Sequence, residues 1–397
     1  MLQKKVLIIA STASFLAQFN HRNIEILQNL NFEVHVAANF THYGTLSGKS
    51  NQKFIDWLYK KGVAVHDVSL RRGFGKLLDN VNALLEINKL MKQEQFSFIH
   101  VHTPIASVLG RVIALKNKVP AVYTAHGFHF SKTSNKSNWL IFPIEWMLSF
   151  FTKQLIVINQ EDYGFAKRHL HAKYINYQAG VGINFNLLKS ATISEHIEAK
   201  KTLLEKFDIP ENARIIVSVG ELTTRKNHRV VIEAIKKLGR SDVHYVIAGK
   251  GYLLSYLKNL AIGLDLESQV HFMNYTTAIR RLNLAADVAV LPSLREGLSR
   301  AGLESIRDGV YLLGADIRGI KDYIVNDQVG RTFNPYDSEE LATLLVKTID
   351  MKRTKLNQES VDKLMIFDRK NIDKQMRDVY KKMGTGNDNR LRNTVGR

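Results

Sequence analysis

Short apolar runs that do not alternate recur along this chain, and amphipathic stretches separate them. In the first half the runs lie at 5–10, 33–38, 64–68, 97–101, 121–124, 154–158 and 174–178. Between several of them apolar residues return at three- and four-residue steps, most clearly over 20–30 and 78–91. A strand without alternation is apolar on both faces, and helix-length connections suit parallel pairing. The pattern predicts an α/β fold, with a parallel sheet covered by helices on both sides. It restarts at Ala213, with strands expected over 213–220, 244–248, 269–273, 287–291, 311–313 and 331–333. Helices are expected over 229–238, 252–262, 278–285, 300–307 and 339–349. The polar stretch 185–212 reads as the connection and carries a helix of the second domain at 195–207.

A chain of 397 residues with 45% apolar content can fill two cores. The expected domains are 1–190 and 191–365, followed by a helix over 366–383 and a Gly-, Asn- and Arg-rich tail, 384–397, expected to be disordered. The absence of cysteine rules out a disulfide framework or a thiolate metal site and fits a reducing compartment. The N-terminus is basic and then apolar, like a signal peptide, but its apolar run is too short for one, and a buried first strand is expected. The net charge is +19, from 56 Lys and Arg against 37 Asp and Glu. The bases are dispersed, with no zinc-finger spacing, RNA-binding aromatic signature or long basic tract, so nucleic acid is not an expected partner. An anionic membrane surface is, through Arg71, Arg72, Lys76 and Lys92. Residues 139–151 are very apolar, but Pro143, Glu145 and the following Lys153 leave them short of a membrane span. They are expected to form a buried helix ahead of the strand 155–158, with a membrane-dipping helix as the alternative.

The chemistry-bearing segments follow strands. Leu291-Pro292-Ser293-Leu294-Arg295-Glu296-Gly297-Leu298-Ser299-Arg300 leads from an apolar run into a helical stretch that reaches Glu304. Two glutamates eight positions apart on one helix would share a face, the first at the helix mouth, where unpaired N–H groups can hold a phosphate or a sugar. Val219-Gly220-Glu221-Leu222-Thr223-Thr224-Arg225-Lys226 places cations after a strand, where α/β sheets bind ligands. Gly249 and Gly251 bracket Lys250 at another strand end, a turn that suits either close ligand approach or simple chain reversal. In the first half His126-Gly127 follows a strand, and His100-Val101-His102-Thr103 ends the one before it. Period two puts His100 and His102 on one face, where they could pair on a metal, although no third ligand accompanies them.

Together these segments resemble glycosyltransferase family 4, the retaining enzymes with two Rossmann-like domains facing each other across a cleft, the GT-B fold. The resemblance spans nearly the whole chain and is most specific over 100–130 and 296–304, close to capsule and exopolysaccharide enzymes. It implies a nucleoside-diphosphate sugar, with UDP expected, as donor, and a polyprenyl-linked saccharide as acceptor. It also implies a cytoplasmic enzyme, peripheral on the inner face of the plasma membrane. No cofactor or metal is expected, since no Asp-x-Asp motif stands in a credible loop. By the resemblance Glu296, His126 and Lys226 are catalytic. Glu304, Gly297, Leu298, Ser299, Gly220, Gly249, Arg225 and Gly319 bind the donor, and His102 and Thr103 lie on the acceptor side. Glu221 stands where the family has an arginine, with Arg225 or Arg229 as possible substitutes, and residues 10–15 lack the family's glycine pair. A nucleotide-sugar epimerase of the same fold, or a basic binding protein with a degenerate site, stays open as an alternative reading.

Overall fold

A computed structural model of the chain describes residues 3–73, 75–130, 136–185, 191–353 and 355–384. The tail expected to be disordered lies, from residue 385, outside the described residues. The chain divides into two units, Met1–Val181 with Lys370–Arg397, and Gly182–Arg369.

The strands of the first unit are β1 (Lys4–Thr12), β2 (Phe32–Asn39), β3 (Ala64–Asp67), β4 (Phe98–Val101), β5 (Ala121–Ala125), β6 (Thr152–Val157) and β7 (Tyr174–Tyr177). Its helices are α1 (Ala13–Phe19), α2 (His21–Gln28), α3 (Gly48–Lys60), α4 (Leu77–Glu94), α5 (Pro104–Lys116), α6 (Phe142–Ser149) and α7 (Gln160–His169). The second unit holds β8 (Arg214–Val219), β9 (Val243–Ala248), β10 (Val270–Asn274), β11 (Val288–Leu291), β12 (Tyr311–Ala315) and β13 (Gly330–Phe333). Around them lie α8 (Ile193–Phe207), α9 (His228–Leu238), α10 (Leu254–Gly263), α11 (Ile279–Ala285), α12 (Arg300–Arg307), α13 (Ser338–Thr348) and α14 (Gln358–Leu364). The last helix, α15 (Arg369–Gly384), belongs to the first unit from Lys370 on.

Every strand pair is parallel. The sheet orders are β3-β2-β1-β4-β5-β6-β7 and β10-β9-β8-β11-β12-β13. In each sheet the order reverses beside the unit's first strand, between β1 and β4 and between β8 and β11. Loops diverge at such a point and leave room for a ligand beyond the carboxyl ends. In the first unit α4, α5, α6 and α7 cover one face of the sheet, packing Ile87, Ile113, Phe142 and Ala166 on Leu7, Ile9 and Val101. On the other face α1, α2, α3 and α15 pack Leu16, Leu27, Phe54 and Tyr380 around Ile8 and Phe98.

Residues 10–15 close β1 at Thr12 and open α1 at Ala13, and the amphipathic stretch expected over 20–30 forms α2, set off from α1 by Asn20. One expectation is corrected. The apolar segment 139–151 does form a helix, but it is turned inside out. Its buried residues are Glu145, Leu148 and Ser149, while Leu140 is 77% and Met147 51% exposed. The cause is an ion pair: buried Arg111 donates to Glu145 Oε2 at 2.8 Å and lies 4.2 Å over the Tyr123 ring. A charge held inward by a buried partner fixes which face of a helix points in. Of the basic residues proposed to meet a membrane, Arg71 is paired with Asp79 at 3.2 Å.

Gly249 shows how tightly the loops above β8 and β9 are pressed together. A Cβ at that position would lie 1.8 Å from the Gly220 carbonyl oxygen, so protein backbone requires the glycine there. Gly249→Ala should lower the free energy of unfolding by about 1–3 kcal/mol. Gly263→Ala, where a Cβ meets nothing within 4 Å, should leave it unchanged or slightly raised. Urea denaturation of the two variants checks the contrast.

Candidate active site

In the second unit the site starts where β8 ends. Residues 220–223 lead into a single helical turn, Thr224–Lys226, and then to Asn227, which adopts the left-handed conformation at φ 52°. Asparagine tolerates that region better than most residues. From there its side-chain amide donates to the carbonyls of Pro292 (3.2 Å) and Pro335 (2.7 Å), while Leu294 N–H donates to Arg225 O at 2.8 Å. The loops after β8, β11 and β13 are thereby fixed to one another.

Lys226 Nζ donates to Glu296 Oε1 at 2.6 Å, and Arg225 Nη1 donates to the same oxygen at 3.2 Å. The Glu296 side chain is 10% and that of Lys226 12% exposed, so water screens the pair little. Burial alone would push the Glu296 carboxyl up. The Lys226 and Arg225 charges outweigh it and hold the group below the usual carboxylate range. Beside them partial burial, with the charges of Arg225 and Arg318, lowers the Arg295 guanidinium from its ordinary value. Arg318 is buried in the loop after β12. One carboxylate thus accepts from both Lys226 and Arg225 with Arg295 beside it, a balance that favours a polyanionic ligand. Thr223 adds a buried hydroxyl with no hydrogen-bond partner among the described residues.

The two glutamates do not share a helix. Helix α12 begins at Arg300 with Ser299 as its N-cap residue, so Glu296, Gly297 and Leu298 form the loop before it. Gly297 is a poor helix former and Ser299, which makes no side-chain cap, is still in extended backbone, so the helix starts only at Arg300. Glu304 lies in the second turn and accepts from Arg300 Nε at 2.8 Å. Gly319, at φ +76°, lies against this loop; a Cβ there would come within 2.1 Å of the Gly297 carbonyl oxygen. Gly220 lies under the Lys226 side chain, 3.2 Å from its Cδ when given a Cβ. Glu221 is exposed at the start of the β8 loop.

In the first unit His102 and Thr103 leave the end of β4. Thr103 has φ 57° and ψ 148°, a conformation that costs a β-branched residue about 1–3 kcal/mol. It is held by Ser11, whose N–H donates to Thr103 Oγ1 at 3.0 Å and whose hydroxyl lies 2.7 Å from the same atom. His102 Nδ1 and His126 Nε2 are 3.1 Å apart and share one proton. Where His102 donates it, His126 keeps its own N–H on Nδ1. Phe15 and Phe19 pack their rings on His126 at 4.9 and 5.4 Å. His100 is engaged on both nitrogens, with Tyr380 and Thr124 hydroxyls each at 2.8 Å, so it has no lone pair to give a metal. Among the described residues no three His, Cys, Asp or Glu side chains converge on a metal position. Burial pushes His126 down to about 4 and, with the His126 charge, His100 down to about 3. His102 is held well below its ordinary value by burial and by His100 and His126. The histidines are therefore neutral hydrogen-bonding groups at pH 7. Sequence reading missed Asn227, Arg295, Arg318, Ser11 and Phe15.

Two family models match the chain: "Glycosyl transferases group 1" over residues 199–362 and "Glycosyl transferase 4-like" over residues 5–159. The putative glycosyltransferase EpsD of Bacillus subtilis is 28% identical over 390 residues, 95% of this chain and 96% of that protein. The UDP-Gal:alpha-D-GlcNAc-diphosphoundecaprenol alpha-1,3-galactosyltransferase of Escherichia coli is 28% identical over 285 residues, 70% of this chain and 72% of that protein. Among solved structures, Anabaena HepE in complex with UDP and glucose aligns with a TM-score of 0.74 at 18% identity, covering 95% of this chain and 99% of HepE. The glycosyltransferase WaaG, involved in lipopolysaccharide biosynthesis, aligns with a TM-score of 0.65 at 15% identity, covering 94% of this chain and 99% of WaaG.

The buried neutral histidines make folding acid-sensitive. In the unfolded chain a histidine takes up its proton near pH ~6.5. In the fold His126 does so only at about 4 and His100 at about 3. Within that window the unfolded state binds more protons, so stability falls as the pH drops from about 6.5 toward 4. His100 alone should account for about 2 kcal/mol of loss between pH ~7 and ~5. Urea unfolding at the two pH values measures it, and a His100→Asn variant should show a smaller difference.

Proposed function

Because the chain belongs to family 4 of the retaining glycosyltransferases, enzymes of GT-B fold that use nucleotide-sugar donors, we propose that it moves a hexose from a UDP-sugar to a hydroxyl of a polyprenyl-linked saccharide in surface-polysaccharide synthesis. The observation that carries this reading is the cation cluster around one buried carboxylate at the carboxyl ends of β8 and β11. The similarity to an E. coli enzyme named for a UDP-galactose donor and a diphosphoundecaprenol acceptor supports both substrate classes. HepE, solved with UDP and glucose, supports the uridine base.

The family resemblance suggests the roles, and the geometry supports them. In the second unit Lys226 and Arg225 take the diphosphate, with the N–H groups of Gly297, Leu298 and Ser299 at the entrance to α12. Glu304, freed from Arg300, accepts from the ribose hydroxyls. As Lys226 turns to the phosphate, Glu296 is left to accept from hydroxyls of the donor sugar. Arg295 and Arg318 hold the local potential positive and offset the cation missing at Glu221. When the sugar–phosphate bond breaks, the electron pair goes to the diphosphate oxygen, and these fixed cations stabilise it without a metal. Loss and attack on one face keep the anomeric configuration, and the acceptor hydroxyl gives its proton to the departing diphosphate oxygen as the new C–O bond forms. On the first unit His102 and Thr103 line the acceptor side. His126, neutral at pH 7, helps through its ring N–H dipole and not through a full charge.

The test is nucleotide release from a panel of UDP-, GDP- and ADP-sugars, with and without membrane lipid extract. Lipid-dependent release of UDP supports the reading; isomerised sugar without nucleotide release replaces it with an epimerase. Lys226→Ala should lower turnover by at least about 100-fold, the worth of one charge-stabilising donor. Lys250→Ala, exposed in the loop after β9, should keep it. Equal rates in both variants would contradict the assignment.

A further inference from the structure

We propose that the surface formed by α6 and the neighbouring ends of β6 and β7 docks on an anionic lipid bilayer. The helix shows its apolar side to the outside. Leu140, Ile144, Met147 and Phe151 recur at helical spacing and are 77, 41, 51 and 42% exposed. Next to this stripe Trp146 and Phe150, 43 and 50% exposed, meet at 5.0 Å, and Phe150 stacks on His171 at 4.2 Å. A soluble surface seldom gathers this much apolar area without a partner. The inversion is built in, because the Arg111–Glu145 pair fixes the inner face.

Charge decides the partner. Between Glu94 and Glu161 the sequence contains one acid, Glu145, and the fold buries it. Lys136, Lys116 and Lys118 in this stretch are exposed. At the sheet edge Lys173 and Lys382 lie 5.6 and 5.8 Å from the ring of Tyr174, which is 41% exposed. Tryptophan and phenylalanine among lysines, with Glu145 turned inward, suit the headgroup region of a membrane carrying anionic lipid. A second copy of this chain fits less well, since a two-fold contact would set each lysine rim against its own like. The eight residues of α6 are too few to cross a bilayer, and no described helix is long and apolar enough to do so. The contact is therefore shallow and lies in the interface. The docking surface takes from the proposed function only the idea that the acceptor is carried by a lipid.

Co-sedimentation of the full chain with vesicles tests it. Vesicles of phosphatidylcholine with phosphatidylglycerol should bind the protein, pure phosphatidylcholine should bind it at least about tenfold less, and salt should weaken the binding. Trp146→Ser with Phe150→Ser should reduce binding by at least about tenfold, as should Lys136→Glu with Lys173→Glu. Turnover on a short, soluble acceptor should stay unchanged in both pairs, so a failure of docking is distinguishable from a failure of the transferase reading. Tryptophan emission should shift to the blue on anionic vesicles and lose most of that shift in Trp146→Phe. Equal vesicle binding by all variants would overturn the proposal. So would a chain dimeric by light scattering whose Trp146→Ser, Phe150→Ser variant is monomeric yet still binds vesicles.

Discussion

Parallel pairing is the constraint from which the rest follows. When all strands of a sheet run one way, every carboxyl end opens on the same edge, and connections must cross back over a face. In both sheets the order reverses beside the first strand, and there two consecutive loops part. The residues with chemical reach lie at those points. Ser11 follows from β1 and Thr103 from β4 in the first unit, bonded to each other at 2.7 Å. Lys226 follows β8 and Glu296 follows β11 in the second, 2.6 Å apart. Neither pair is close in sequence. The sheet order brings each together.

The second unit's pair is also the electrostatic centre of the site. A carboxylate this enclosed is costly to bury alone, and breaking a buried pair by removing one partner typically costs about 3–5 kcal/mol. Lys226 thus serves first to hold that carboxylate. In the proposed function a diphosphate draws Lys226 away, and Arg225, which also touches Glu296, keeps the carboxylate paired. The proposed exchange couples binding of the phosphates to release of an acceptor oxygen for a sugar hydroxyl.

Strands were legible because they are buried on both faces, and a doubly buried strand is written as an unbroken apolar run. Each strand expected from such a run is present, and bounds differ by a residue or two, as over 121–124 against Ala121–Ala125. Orientation was harder to read. The composition of 139–151 says apolar helix, but only the distant Arg111 decides that Glu145 points inward and Trp146 outward. Spacing likewise placed Glu296 on a helix, whereas the turn chemistry of Gly297 and Ser299 delays the helix to Arg300. Asn227 and Thr103 carry left-handed φ values that no local pattern announces, because loops from elsewhere in the chain hold them. The candidate site was legible where a motif is local, as at Glu296 and Lys226. It was not where Arg318 arrives from another strand.

The central claim is that Glu296 and the donor's phosphates compete for the same cations. Calorimetric titration of UDP, without sugar, into the native protein and into Glu296→Gln tests it most directly. Removing the carboxylate's charge frees Lys226 and Arg225 and removes repulsion, so UDP should bind the variant several-fold more tightly while uridine binds both alike. Unchanged or weaker UDP binding by the variant would contradict the account.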